Sequence, residues 1–173
     1  MLNEEIRLLS KEQLLELIEL DAKNSVALDG VWFQSVERDL GMDEAMHHDQ
    51  EAWKRMALIE ARRLKKFLGL SEHPGLEGLA RALPFHVVHR ANTCEVIVEE
   101  DRVINRVVDC RVQAARLRKG VDWHPCKLAA VYEYESFAKG IDERISSRCL
   151  SCYPDLTDTT CSCAWEFFID ERG

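Results

Sequence analysis

All seven cysteines of this 173-residue chain lie beyond residue 93, and four of them fall within 15 residues. Cys149 and Cys152 form C-x-x-C, and Cys161 and Cys163 form C-x-C. A turn brings sulfurs so spaced to one side, and a tetrahedral zinc site needs four ligands, with thiolates about 2.3 Å from the metal. The eight residues between the pairs make a loop. If the flanking segments are antiparallel neighbours, the pairs meet at its base. Zinc is therefore the first chemistry to expect of Cys149, Cys152, Cys161 and Cys163, with Cys110 and Cys126 as further ligands. An iron–sulfur cluster has the same thiolate requirement. Two other readings stay open: buried apolar thiols, since free cysteine is among the most buried residue types, and a redox pair.

Cys126 has a setting of its own, His124-Pro125-Cys126-Lys127, where a helix is predicted to begin. Unpaired N–H groups, the positive end of the helix dipole and the two basic neighbours would all favour its thiolate. Two readings follow: a nucleophile at Cys126 with a base at His124 and an acidic group to orient the base, or a thiol that packs beneath the sheet or ligates a metal beside Cys110. Arg116 reads either as a two-pronged clamp for a substrate carboxylate or as a partner of the chain's many acids. Glu60 falls on the apolar side of a predicted helix, where a carboxylate needs a cationic partner or becomes neutral. It reads as a buried ion pair or as a pocket carboxylate. His47 and His48 follow Glu44 by three and four residues, but no second Glu-x-x-His appears to complete a two-metal site, so they read as exposed histidines. There is no phosphate loop, no Gly-x-Ser-x-Gly and no dinucleotide fingerprint.

These residues must be carried by recognisable elements. Ser10 and Gln13 form a capping box ahead of Leu14, Leu15, Leu17 and Ile18. A second helix is expected from about Asn24 to Leu40, and a long third one from Asp43 to near Gly69. The third has a seam at Met46, Gln50, Trp53, Ala57, Glu60, Leu64 and Phe67. Pro74, Gly75, Gly78 and Pro84 mark 71–84 as a connector with a helical turn or two. Beyond it, alternation over 93–99 and the run Val103–Val108 predict a β-hairpin. Helices follow over 111–119 and Pro125–Lys139. Strands are expected around Ile141–Leu150 and Trp165–Ile169. The expectation is an α+β protein: a helical segment (1–70), the connector (71–84) and a cysteine-containing α+β region (85–173), joined in one domain. In it a small antiparallel four-stranded sheet carries helices on one face.

Composition narrows the function classes. With 31 acidic against 23 basic residues the net charge is −8, which disfavours a nucleic-acid backbone or an anionic membrane as partner. No apolar run of 18 residues offers a bilayer span. The acidic start Met-Leu-Asn-Glu-Glu lacks the pattern of a secretory signal. A soluble cytoplasmic protein is expected, whose odd number of thiols in a reducing compartment argues against a disulfide framework. A small-molecule ligand or substrate is the expected partner, and a homo-oligomer is compatible with everything above.

The chain resembles an uncharacterised prokaryotic family known only as "cytosolic protein". The likeness rests on Asp109-Cys110-Arg111-Val-Gln113-x-x-Arg116, Pro125-Cys126-Lys127, Phe137-Ala138, Ile141-Asp142, Cys149-x-x-Cys152-x-Pro154-Asp155 and Cys163-Ala164-Trp165-x-Phe167. It extends to Leu28-Asp29-Gly30-x-Trp32-Phe33 and Ile59-Glu60-Ala61-Arg62. The resemblance implies that Cys110, Cys126, Cys149, Cys152 and Cys163 matter as a set, with Cys161 an addition in this chain. More distantly the chain is similar to the L-2-amino-thiazoline-4-carboxylic acid hydrolase family and to vinyl-reductase-type small-molecule-sensing domains, which also join a helical region to a cysteine-bearing α+β domain. Three functions follow as expectations: a thiolate metal centre beside a small-ligand pocket, a thiol-dependent hydrolase using Cys126, His124 and Arg116, and a non-catalytic sensor with its pocket near Trp32, Trp53 and Glu60.

Overall fold

The structure is a computed structural model and describes residues 3–170. Helices α1 (Glu4–Arg7), α2 (Lys11–Leu40), α3 (Met42–Phe67), α4 (Gly75–Ala82) and α5 (Val87–Ala91) come first. The hairpin β1 (Thr93–Val98) and β2 (Arg102–Asp109) is followed by α6 (Arg111–Arg118), α7 (Lys127–Ile141), β3 (Ile145–Cys152) and β4 (Cys163–Ile169). The strands form one antiparallel sheet in the order β1-β2-β4-β3. This is the expected α+β architecture of hairpin, two helices and hairpin.

Local signals account for most boundaries. The Ser10 capping box is present: its Oγ accepts from Gln13 N–H at 3.2 Å, and its own N–H donates to Gln13 Oε1 at 2.9 Å. Past α3, Gly69 turns with φ +61°, and Leu70 N–H reaches back to Lys65 O at 3.0 Å, a left-handed glycine stop. Two expectations need correction. The two helices expected before residue 40 are a single 30-residue helix, because neither Asn24 nor Gly30 is a strong enough breaker and nothing crowds Gly30. And α3 starts at Met42, one residue before the expected cap Asp43, because Gly41 (φ +92°) makes the turn between helices.

The sheet has two unlike faces. Val103, Val107, Trp165 and Phe167 point toward the helices and are fully buried. The other face carries a charged ladder in which Glu166 pairs with Arg102 and with Arg148, and Arg106 with Glu95 and Asp158. Period-2 alternation over these strands thus has a direct physical outcome: apolar residues inward, ion pairs outward. Ile141, expected in a strand, instead ends α7 and is buried with Ala57, Ala61, Phe137 and Ala138. That cluster takes residues from both sides of the connector, so α3 is part of the core that the sheet rests on.

Small residues let α3 and α7 approach closely. Ala57 and Ala61 are fully buried, and a Cβ placed on Gly140 would lie 2.5 Å from the Ala61 Cβ and 3.3 Å from a Leu58 methyl. There is no room for it without shifting a helix. Gly140→Val is therefore expected to destabilise the protein by about 1–3 kcal/mol through overpacking. Gly30→Ala, at an uncrowded helical site, is expected to stabilise by about 0.5–1 kcal/mol. Thermal or urea unfolding followed by circular dichroism reads both, and equal effects would contradict the close approach.

Candidate functional site

A cavity of about 650 Å³ lies between α2, α3, α6, α7 and the sheet. Asp29 and Gly30 reach it from α2, Asp49 and Trp53 from α3, Ala130, Glu133 and Tyr134 from α7, and Val107 and Cys163 from the sheet. His124, Cys126, Cys110 and Arg116 line it as well. The expected pocket is therefore present and Trp53 borders it. Trp32 lies half-exposed on α2 outside it, and Glu60 stands one step behind its wall.

The wall is held by a buried ion array. Glu60 Oε2 is 2.6 Å from His86 Nδ1, and His86 Nε2 is 2.9 Å from Glu133 Oε1. Glu60 Oε1 also accepts the Val87 N–H at 2.9 Å, capping α5, with Arg90 at 3.5 Å. The His86 ring has no exposure and stacks on Phe137 at 4.4 Å. Burial alone would favour the neutral ring. The Glu133 and Glu60 carboxylates outweigh it and raise the His86 pKa to about 9. An imidazolium between two carboxylates results, and Glu60, although buried, is held below its ordinary value by His86, Val87 N–H and Arg90. Of the two earlier readings of Glu60 the ion pair is the one observed; the carboxylate in the cavity lining is Glu133, which Glu60 reaches through His86.

At the other end of the cavity Cys126, His124 and Asp49 form a line. The Cys126 sulfur is 3.2 Å from His124 Nδ1, and His124 Nε2 is 3.5 Å from Asp49 Oδ2. Gln113 fixes this segment: its Oε1 accepts the His124 N–H at 3.0 Å, and its Nε2 donates to His124 O at 2.8 Å and to the Cys126 sulfur at 3.0 Å. Phe33 packs edge-on against the His124 ring at 4.5 Å. The expected nucleophile and base are thus adjacent, and Asp49 stands where the orienting acid was required.

The electrostatics differ from the expectation. Burial, with Cys110 and Cys163 nearby, pushes the Cys126 thiol well above its usual range. Burial and then Arg116 lower His124 to about 4. Lys127, expected to favour the thiolate, pairs with Asp155 at 2.7 Å. The resting pair is a neutral thiol and a neutral imidazole, because desolvation outweighs the helix terminus. Asp49 is raised to about 8 by burial and by Asp29 and Glu133, and Asp29 to about 6 by burial and Glu133, while the Trp53 indole N–H opposes both shifts.

The substrate clamp assigned to Arg116 closes on the protein itself. Its NH1 and NH2 each lie 2.9 Å from a Glu37 carboxylate oxygen, its Nε donates to Asp122 O, and its side chain is almost fully buried. It ties α6 to α2. A two-pronged Arg–carboxylate pair was legible; that the carboxylate is the chain's own Glu37 was not.

The cysteines are all free thiols and do not form one centre. Cys152 and Cys163 face each other across β3 and β4 at the base of the loop, as expected of the two pairs. Cys149 packs against the same core cluster as both. Cys161 departs: its sulfur contacts Asp158 Oδ2 at 3.5 Å, on the loop, because the outward-facing ladder draws Asp158 and Arg106 there. Cys110 and Cys126 line the cavity together with Cys163. Cys94, which sequence reading passed over, stands in the same cross-sheet row, opposite Val107, which lies between it and Cys163. Among the described residues no group of three or more His, Cys, Asp or Glu side chains is placed to hold a metal ion. His47 and His48 are exposed, with Glu44 3.8 Å from His48.

Asp29, Asp49, His86 and Glu133 were missed as site residues. Two carried a signal. Asp49 lies three residues after the seam residue Met46, and Glu133 interrupts the buried stripe Ala130, Tyr134, Phe137 and Ile141. Each is a carboxylate on an apolar side, the feature that singled out Glu60.

Fold and site together define an α+β protein with a cavity of buried carboxylates and thiols between its helices and its sheet. The chain belongs to the family of unknown function DUF6125, which matches residues 7–169. No curated protein and no solved structure matches it. No helix among the described residues is long and apolar enough to cross a membrane.

The buried array makes stability depend on pH. His86 has a folded pKa near 9 against about 6.5 unfolded, so its contribution is complete below about 6.5 and is lost toward pH 9. Asp49 binds its proton more tightly when folded, so its ionisation also lowers stability until about pH 8. The melting temperature should fall from pH 6.5 to 9, and Asp49→Asn should remove the portion that ends near pH 8. A scan that is flat over this range would contradict a charged His86 between Glu60 and Glu133.

Proposed function

We propose that this protein is a thiol-dependent hydrolase of a small polar substrate whose buried end carries positive charge. The observation that carries the reading is the Cys126–His124–Asp49 line on the wall of a ligand-sized cavity. As the Cys126 sulfur attacks an electrophilic C=O or C=N carbon, His124 Nδ1 takes the thiol proton and Asp49 stabilises the imidazolium that forms. The leaving group departs with that proton. Water, deprotonated by His124, then cleaves the sulfur–carbon bond and restores the thiol.

The substrate's charge follows from the lining. Asp49 and Glu133 are buried in it and Asp29 is half-buried, whereas Arg111, Arg118 and Lys119 are at exposed positions around it. A cationic group beside Asp29 and Asp49 would lower their raised pKa values and so convert Asp49 into the carboxylate that His124 needs. A zinc–thiolate centre is the second reading. It has the pairing of Cys152 with Cys163 across β3 and β4 in its favour, and stoichiometric zinc lost in Cys149→Ser would establish it.

Thiol probes of different charge test the hydrolase reading. Relative to glutathione, Cys126 should react at least tenfold faster with the cation chloroacetamidine than with the anion iodoacetate, and Asp49→Asn should erase the preference. With iodoacetamide its rate should still be rising above pH 8, as befits a neutral resting thiol. Peptide mapping reads both. Preference for iodoacetate, or a hydrolytic turnover that survives Cys126→Ala, would overturn the assignment.

A further inference from the structure

Cys149 and Cys152 are three residues apart on β3, and in a regular strand an odd separation puts side chains on opposite faces. The register of β3 against β4 shifts between Cys149 and Ser151: Cys149 pairs with Trp165, Ser151 with Ala164 and Cys152 with Cys163. The extra residue, Leu150, is a bulge, and it restores both cysteines to the face that also carries Trp165 and Cys163. Cys152 thereby lies opposite Cys163, and Cys149 packs against the same core cluster as both. The two partners differ in access. Cys152 is 1% exposed, whereas Cys149 is half-buried on β3, the edge strand of the sheet, beside the exposed Leu150. Neither Cys149 nor Cys152 lines the cavity, and the chemistry at Cys126 does not require them.

We propose that Cys149 and Cys152 form a thiol–disulfide exchange site for an external disulfide, Cys149 being the attacking sulfur and Cys152 the resolving one. The Cys152 S–H and then Lys127 favour the thiolate of Cys149, while Cys152 is held as the protonated partner. Cys149 displaces one sulfur of the disulfide R–S–S–R. A Cys149–S–S–R bond forms and RS⁻ leaves, taking up the proton that Cys149 gave to solvent. Once Cys149 carries this cap it no longer has the charge that held the Cys152 proton. Cys152 releases that proton, attacks the Cys149 sulfur and expels the second RS⁻, which is protonated in turn. The protein dithiol is oxidised by two electrons and the external disulfide is reduced to two thiols.

Reduced full-length protein in glutathione redox buffers, quenched with acid, alkylated and peptide-mapped, tests this. A reversible Cys149–Cys152 disulfide should form while Cys126 stays reduced, and Cys126→Ala should leave the exchange unchanged. Cys152→Ser should accumulate one glutathione on Cys149, and Cys149→Ser should form neither species. Circular dichroism establishes that the variants are folded, and the wild-type map decides by itself if they are not. A Cys152–Cys163 disulfide, glutathione landing first on Cys126 or Cys110, or seven reduced thiols in a buffer that oxidises dithiothreitol would each overturn the proposal.

Discussion

An imidazolium ring with no contact to solvent, caught between the carboxylates of Glu60 and Glu133, is the constraint on which the rest of this molecule turns. It joins three elements: α3 supplies Glu60, the segment before α5 supplies His86, and α7 supplies Glu133. Removing any member would leave an uncompensated charge in the core, the costliest kind of defect. The array therefore fixes where α5 sits against α3 and α7. Glu133 keeps one oxygen on His86, and its carboxylate stands in the cavity wall.

The same two helices carry the other end of the site. Asp49 and Glu60 lie on one face of α3, and Cys126 and Glu133 on one face of α7. Close packing at Ala61 and Gly140 locks the pair near its far end. A cavity so framed keeps its polar groups poorly hydrated. That is why its thiol and histidine rest neutral and two of its acids hold their protons into the neutral range. Such groups are poised to change ionisation when a charged ligand enters, which makes the cavity responsive to the charge of its contents as well as to their shape.

The thiols divide into two neighbourhoods. Cys110, Cys126 and Cys163 look onto the cavity, and Cys149 and Cys152 onto the edge of the sheet, with Cys163 adjoining both. A zinc expectation built on spacing treated them as one population. Spacing alone could not see that the outward ion ladder takes Cys161 to Asp158, nor that a single bulged residue puts Cys152 on the same face as Cys149.

Period-3.6 and period-2 patterning determined most elements and their order, because these depend on which residues avoid water, but it split the helix Lys11–Leu40 in two and put the exposed Phe67 on a buried seam. The capping box at Ser10 and the glycine stop at Gly69 were equally legible, since a helix end is settled within a few residues. Cys126 with His124 was readable as a nucleophile and base because a single residue, Pro125, separates them. Asp49 as their third member, Glu37 as the partner of Arg116, and His86 between its two acids lie 26 to 79 residues from the groups they meet. Nothing in a local pattern specifies contacts of that range. Nor does it specify ionisation: whether Cys126 is a thiol or a thiolate was decided by how deeply the folded chain buries it.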